Sequence, residues 1–255
     1  MNPAQAGQFV AGTGVDATFL KVADNWHGSS VLWDEASGSP GSGQPIGSFA
    51  WGTGLWGLAD FATANGASPP AGMIETSWSG RVGQIAFADD AYNQKYASSW
   101  GAVALAPLFG LATSSQDNWT SSAAGYIRIT QAGTYNFSVL YDDGFQFRLG
   151  GAGGQVLELR EDFLNPRDRL GFASDLALQP GLYAFELGGY DRLETGVLQL
   201  DWRMGSGEWS PIPTANLVAI GEVTPVPEPG TTLLFAAGLL ALGGTTLHRR
   251  RTRPA

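Results

Sequence analysis

Hydrophobic and polar residues alternate with a period of two in several stretches of the second half of the chain. The alternation is clearest over residues 135–141, and it recurs over residues 145–149, 183–187 and 198–202. Because successive side chains of a strand point to opposite faces of a sheet, each stretch predicts a strand with one buried and one solvated face. Turn residues such as Gln179-Pro180-Gly181 separate the stretches. The pattern predicts an all-β fold, an antiparallel β-sandwich.

The first 120 residues are rich in glycine, serine and tryptophan, and residues 36–45 are predicted to form a long Gly/Ser-rich loop. The tryptophans of this part are Trp26, Trp33, Trp51, Trp56, Trp78, Trp100 and Trp119. Aromatic rings among glycines serve as sugar-stacking platforms in some proteins, but they more often fill the core of a β domain. No spacing orders these rings on one face, and we therefore expect them in the core.

The C-terminal end of the chain divides into three parts of different composition. Residues 222–230 are a Pro-rich linker, residues 231–248 are apolar, and residues 249–255 are basic. A helix through residues 229–247 would span about 28 Å at 1.5 Å per residue, close to the thickness of a bilayer core. Such a run followed by arginines predicts one transmembrane helix with a cytoplasmic tail, which places residues 1–221 on the far side of the membrane as an extracytoplasmic domain.

This tail resembles the PEP-CTERM sorting signal of Gram-negative bacteria. The resemblance depends on residues at the two ends of the apolar run, namely Val226, Pro227, Glu228, Pro229, Arg249, Arg250 and Arg251. It implies recognition by an exosortase-type sorting enzyme, cleavage near the Pro-Glu-Pro sequence, and passage from an inner-membrane-anchored precursor to the cell surface or extracellular matrix. Proteins with this signal accompany exopolysaccharide production, which makes an exopolysaccharide a candidate partner.

Export also needs an N-terminal signal, and residues 1–7 lack the basic and apolar regions of one. Ala4-Gln5-Ala6 has the small-x-small form of a cleavage site. We therefore expect that the true start lies upstream of Met1 and that a leader peptide is missing. The alternative is a coincidence in an alanine-rich stretch.

Composition and charge argue against several classes of protein and site. The chain has no cysteine, and its two histidines, His27 and His248, stand in unrelated segments, which excludes thiol chemistry and a histidine-rich zinc site. Four of the 14 basic residues lie in the tail, so residues 1–221 carry 10 basic and 21 acidic side chains, a net charge of −11. Such a surface repels phosphate backbones, which argues against nucleic acid as a partner, and it is compatible with divalent cations and neutral ligands.

Asp142-Asp143-Gly144 joins the two strongest alternating stretches. On local statistics, Asp-Gly predicts a type I′ hairpin turn, which needs no ligand. The wider pattern resembles the protective-antigen-type domain, a β-sandwich module of bacterial toxins, glycosidases, adhesins and yeast flocculin lectins. The resemblance covers residues 119–213 and depends on positions 125–129, 133–137, 142–144, 181–187, 196, 198–202 and 211–213.

The resemblance also implies a calcium site, because in the lectin members of that family the paired aspartates are joined by a cis peptide and bind Ca²⁺ where the sugar binds. Here the pair is Asp142 and Asp143. The family's second loop corresponds to residues 190–196, where Asp191 would supply a side chain, and Leu193 and Thr195 their backbone carbonyls. An aspartate at the place of an asparagine-type ligand keeps an oxygen donor and adds charge, which suits Ca²⁺.

Three classes of function remain open from the sequence. The leading hypothesis is a non-catalytic, exported surface or matrix protein, an adhesin-like module that binds carbohydrate through Ca²⁺. The alternative is a structural matrix protein that binds no sugar, in which the aspartates serve a turn or hold a structural Ca²⁺. The third is a carboxylate-pair glycoside hydrolase, although no carboxylate lies in an apolar sequence setting that would raise its pKa.

Two other acidic segments, Asp89-Asp90 and Glu161-Asp162, are expected to be polar connections that face water. Residues 165–169 are predicted to form a turn whose charges pair locally.

Overall fold

The computed structural model describes residues 11–26, 32–34, 39–41, 53–105, 116–151 and 154–222. The predicted apolar helix, the basic tail and the sorting-signal residues lie outside the described residues, as do both histidines and Trp51. Among the helices within the described ranges, none is both long and apolar enough to cross a membrane.

Strands dominate the described residues, and the two longest are β8 and β9. The strands are β1 (Ala11–Val22), β2 (Leu32–Asp34), β3 (Ser39–Gly41), β4 (Ile74–Val82), β5 (Ala86–Ala88), β6 (Ala104–Leu105), β7 (Trp119–Ile129), β8 (Gly133–Gly151), β9 (Gly154–Leu170), β10 (Leu176–Leu178), β11 (Gly181–Asp191), β12 (Val197–Met204), β13 (Ser210–Pro211) and β14 (Leu217–Val218). The α-helices are α1 (Leu58–Ala64) and α2 (Asp90–Trp100), and 3-10 turns cover Thr214–Asn216 and Ile220–Glu222.

Twelve of these strands join in one sheet, whose main hydrogen-bonded order is β4-β1-β7-β11-β8-β12-β5-β6. Strand β8 belongs to both halves, because its residues 144–150 pair with β11 and its residues 135–142 pair with β12. The sheet folds over along this path, since Phe19 of β1 and Phe87 of β5 meet edge-on with ring centroids 4.8 Å apart. The predicted antiparallel β-sandwich is confirmed, with β5 and β6 paired in parallel.

The main core lies between the two halves of the folded sheet. Alternate residues of β8 point into it, among them Phe137, Val139, Phe145 and Phe147, and the same alternation continues in β7 and β11. Burying one such side chain stabilises a fold by about 1.5–3 kcal/mol. Of the tryptophans expected in the core, Trp119 is buried here and Trp78 packs against it partly buried. Trp56 is buried outside this core, and Trp26 and Trp100 pack partly buried against smaller apolar clusters.

Two helices that the sequence analysis did not predict cover the outer faces of the sheet. Helix α1 packs Phe61 against Tyr190, and helix α2 packs Tyr92 against Leu140. Helix α1 has seven residues, and α2 buries only Tyr92 among its described side chains. A helix that is this short, or that buries this little, has no apolar stripe for sequence periodicity to detect.

The expectation of water-facing connections at residues 89–90 and 161–162 is wrong, and so is the turn predicted at residues 165–169. Asp89 is 1% exposed and caps α2, where its side chain accepts the N–H of Tyr92 at 2.6 Å. The segments 161–162 and 165–169 belong to β9, and the Asp162 side chain accepts the N–H of Leu58 at 2.7 Å. Asp89 and Asp162 thus each accept an amide at the start of a helix, α2 and α1 respectively. Such amides have no partner within the helix itself.

The hairpin turn predicted at Asp142-Asp143-Gly144 is also wrong, because β8 runs without interruption through these residues. Gly144 instead lies beneath the ring of Tyr190, where an added Cβ would stand 2.4 Å from the phenolic oxygen. The glycine that suggested a turn is required by the close approach of the neighbouring strand β11.

We expect Gly188→Ala to destabilise the fold by about 1–3 kcal/mol, as overpacking of a core typically does. An added Cβ at this β11 position would stand 2.2 Å from the ring of Phe61, which holds α1 on the sheet. Gly181→Ala is the matched control in the same strand, because nothing lies within 4 Å of its added Cβ. Urea unfolding measures both variants, and equal stabilities would contradict the packing of α1.

Candidate functional site

The aspartate pair lies at the middle of β8, where the strand changes its partner from β12 to β11. The peptide bond between Asp142 and Asp143 is cis, as the family resemblance implies. Asp191 is the last residue of β11, and residues 192–196 form the loop between β11 and β12. We call this segment the 192–196 loop.

Two hydrogen bonds join the aspartate pair to the 192–196 loop. Asp143 Oδ2 accepts the N–H of Arg192 at 2.8 Å, and Asp142 Oδ2 accepts the hydroxyl of Thr195 at 3.0 Å. The structure therefore brings together Asp142, Asp143, Asp191 and the loop that contains Leu193 and Thr195. The Thr195 side chain takes part, in addition to the backbone carbonyl that the resemblance assigns.

Asp191 is the most deeply buried of the three carboxylates, with 0% of its surface exposed. Neither of its side-chain oxygens has a hydrogen-bond partner among the described residues. The 192–196 loop closes directly over it, because an added Cβ at Gly196 would stand 2.7 Å from the Asp191 Cβ. A buried carboxylate without partners costs several kcal/mol when ionised, so this site is electrostatically incomplete without a proton or a cation.

The pKa values of all three aspartates are raised. Burial is the largest cause for each of them, and it raises the pKa of Asp142 to about 8 with a further contribution from Asp143. Burial also raises the pKa of Asp143, although the bond from the Arg192 amide and the Arg192 guanidinium oppose it. The pKa of Asp191 lies well above its usual value because of burial and the nearby charge of Asp143. Ionisation of these carboxylates is therefore disfavoured unless a cation offsets their negative charge.

Three residues that the sequence analysis did not assign hold the 192–196 loop in place. Asp89 accepts the N–H of Gly196 at 2.6 Å and donates its own N–H to the Gly196 carbonyl at 3.0 Å. Asp117 accepts the N–H of Glu194 at 2.9 Å, and Asn118 donates its N–H to the Arg192 carbonyl at 3.0 Å. These anchors preorganise the loop, and only the helix-capping position of Asp89 left a signal in the sequence.

A polar cleft of ≈ 320 Å³ opens beside the carboxylates. It is lined by Asp142, Asp143 and loop residues 193–195 on one side, and by Tyr96 and residues 164–167 on the other. The cleft gives a small molecule access to the aspartate pair from solvent.

The residues present fit a calcium ion. Ca²⁺ takes six to eight oxygen ligands in flexible geometry, including carboxylates and backbone carbonyls, and every side-chain donor of this site is an oxygen. Within the described residues, no group of three or more His, Cys, Asp or Glu side chains has metal-site geometry. The three aspartates are therefore not arranged as a complete metal site by themselves, and a calcium ion would also need backbone carbonyls of the loop. Among the described residues, both side-chain oxygens of Asp191 are without another partner.

Residues 225–251 match the model of the PEP-CTERM protein-sorting motif. The match contains all seven residues predicted for the sorting signal, which confirms that prediction. It covers the C-terminal end of the chain and leaves the β-domain outside it.

No protein with curated annotation matches the chain in sequence. Among solved structures, the chain is similar to the PA14 domain of an antifreeze protein, with 16% identity, a TM-score of 0.48, and coverage of 84% of this chain and 94% of that one. It is also similar to a PA14 sugar-binding domain from an RTX adhesin, with 16% identity, a TM-score of 0.45, and coverage of 81% and 98%. The Epithelial Adhesin 6 A domain of Candida glabrata, solved in complex with Galβ1-3GlcNAc, has 12% identity, a TM-score of 0.44, and coverage of 85% and 91%. All three TM-scores lie below 0.5, so the function must be read from the residues of the site itself.

We expect the calcium-free protein to lose stability as the pH rises from about 4 to about 8. The folded-state pKa values of the three aspartates lie above the unfolded value of about 3.9, so the folded protein binds more protons and its unfolding free energy falls as the pH increases. Thermal unfolding in calcium-free buffer at several pH values measures the slope. Asp191→Asn should flatten the slope, whereas Glu75→Gln, exposed on β4, should leave it unchanged. A stability that is constant or increases over this range would contradict the description of the site.

Proposed function

We propose that this protein is an exported, non-catalytic surface or matrix protein whose β-domain binds carbohydrate through a calcium ion. The proposed ligands are the side chains of Asp142, Asp143 and Asp191 and the backbone carbonyls of Leu193 and Thr195. The observation that carries the proposal is the Asp191 carboxylate, buried completely, with no hydrogen-bond partner for either oxygen among the described residues.

The charge of the site supports a cation in preference to protons alone. Three aspartates lie together, and burial raises the pKa of each of them. A divalent cation offsets most of the negative charge that the three carboxylates carry when they are ionised. Protonation would instead leave three carboxylic acids, each with an O–H donor that needs an acceptor.

The cleft beside the carboxylates supports the proposal that the ligand is a sugar, which has several hydroxyl oxygens. When bound, calcium supplies open coordination positions that sugar hydroxyls fill. The chain holds the site in shape, because the amides of the 192–196 loop are bonded to Asp143, Asp117 and Asp89. A loop that is already fixed loses little conformational entropy when a ligand binds.

The sorting motif supports the proposed route to the surface. We infer that an exosortase-type enzyme recognises residues 226–229 and the arginines 249–251, cleaves the chain near the Pro-Glu-Pro sequence, and releases the β-domain from an inner-membrane-anchored precursor. An exopolysaccharide of the surface or matrix is the proposed partner of the β-domain.

We expect calorimetric titration of the full-length protein with Ca²⁺ to show one site of roughly micromolar to millimolar affinity, the range of sensor and extracellular calcium sites. Asp191→Asn, which keeps the shape but removes the charge, should weaken binding at least about 10-fold. The double variant Asp142→Ala/Asp143→Ala should abolish it.

Glu194→Gln is the matched control for this titration. Glu194 belongs to the same loop, and its exposed carboxylate pairs with Lys95 at 3.1 Å. If Glu194→Gln weakened calcium binding as much as Asp191→Asn, the effect would be long-range charge and the proposed ligand set would be wrong. Calcium binding without any calcium-dependent glycan binding would favour the alternative, a structural matrix protein.

We expect the mature protein in its own cells to lack the segment that follows the Pro-Glu-Pro sequence at residues 227–229. Replacing Pro227, Glu228 and Pro229 together by alanine should keep the full-length precursor in the membrane fraction. Glu222→Gln, which lies before the matched residues 225–251, should be processed normally. Mass spectrometry of the secreted and membrane fractions distinguishes the outcomes, and full processing of the triple variant would contradict the proposed sorting.

A further inference from the structure

Arg167 faces the aspartate pair from the other side of the cleft. It lies on β9, where Tyr141 pairs with Asp168 and Asp143 pairs with Asn165. Pro166 and Arg167 therefore lie together opposite the single residue Asp142, which is a β-bulge. Bulges redirect side chains, and this one places Arg167 Nη1 4.0 Å from Asp142 Oδ2.

The Arg167 guanidinium is held flat by aromatic residues of α2. Its central carbon lies 3.1 Å from the centroid of the Tyr96 ring and 5.5 Å from the Trp100 ring. A guanidinium that packs on an aromatic ring can still donate hydrogen bonds in the plane of its fork. The Arg167 guanidinium also covers that face of Tyr96, which is then unavailable as a platform for a sugar ring.

Among the described residues, the Arg167 guanidinium has one long ion pair, with Asp142, and no acceptor for its Nε. The Arg167 side chain is 14% exposed, and its Nε is buried. The 4.0 Å separation from Asp142 is too long for a hydrogen bond, and the same Asp142 oxygen already accepts the Thr195 hydroxyl. A largely buried donor without an acceptor costs free energy that an incoming ligand would recover.

We propose that the glycan bound at this site carries a carboxylate, as a uronic acid does, and that Arg167 pairs with it. The proposal rests on the proposed function, because it requires the sugar hydroxyls to bind the calcium ion while the carboxylate of the same glycan pairs with Arg167. A carboxylate matches the guanidinium fork with two parallel hydrogen bonds, which a neutral sugar cannot form.

The other charges around the cleft leave this role to Arg167. Glu194 pairs with Lys95, and Arg192 faces Trp56, with its guanidinium 4.1 Å from that ring. Among the described residues that line the cleft, Arg167 is the one basic side chain, and the remaining charges there are acidic. An acidic glycan therefore meets favourable charge at one place, beside the calcium ion.

The test is a glycan array that contains neutral, uronate-bearing and sulfated oligosaccharides, probed with the full-length protein in Ca²⁺ and in a chelator. We expect the calcium-dependent binders to be uronate-bearing glycans. Arg167→Gln should weaken them by about 10- to 100-fold, the effect of losing a charge-assisted hydrogen-bond pair. Arg203→Gln is the matched control, because Arg203 also stacks on an aromatic ring, with its guanidinium 4.6 Å from Trp209, and does not line the cleft.

A second readout separates this role from a structural one. Arg167→Gln removes a positive charge 4.0 Å from a proposed calcium ligand, so calorimetric Ca²⁺ affinity should stay the same or increase while uronate affinity falls. A parallel loss of both affinities would overturn the proposal and indicate a damaged site.

The array outcomes distinguish a failure of the Arg167 proposal from a failure of the proposed function. Calcium-dependent binding of neutral or only sulfated glycans, or uronate binding that Arg167→Gln leaves unchanged, would overturn the role of Arg167 and leave the proposed function standing. The absence of any calcium-dependent glycan binding would overturn the proposed function and this proposal with it.

Discussion

The burial of three like-charged carboxylates at one place is the constraint on which the rest of the site depends. Asp191 lies fully buried beneath the loop that follows it, and its oxygens have no partner among the described residues. Like charges so close together in a low-dielectric setting repel strongly unless a proton or a cation intervenes. In the function that we propose, the anchored loop, the close approach of Gly196 and the open cleft surround a cation that the aspartates share.

The β-sandwich serves this constraint by bringing distant parts of the chain to one point. Strand β8 passes between the two halves of the folded sheet and carries Asp142 and Asp143 where it changes its partner. Strand β11 carries Asp191. The N-cap residue of α2, Asp89, is bonded to the loop, and Tyr96 of α2 lies beside the cleft. The core holds these elements in register, so the site is built largely on strands and a helix and not on mobile segments.

The sequence predicts those parts of the molecule that repeat or that form a local pattern. The alternation over residues 135–149 indicates strands because a strand repeats every two residues, and the sorting signal is contiguous. Asp142-Asp143-Gly144 misleads, because local turn statistics do not register that the Tyr190 ring of another strand occupies the space above Gly144. The convergence of Asp191 on the pair came from family resemblance and not from spacing. Arg167 escapes sequence reasoning altogether, because a bulge depends on the pairing register between β8 and β9.

A crystal structure of the protein grown with calcium tests the central claim most directly. The account predicts anomalous density for one ion among Asp142, Asp143 and Asp191, with carboxylate and loop carbonyl oxygens at about 2.3–2.6 Å. Well-ordered carboxylates with no ion among them at millimolar calcium and neutral pH would contradict the account. In that case the three aspartates would be held by protons, and the cleft would need another explanation.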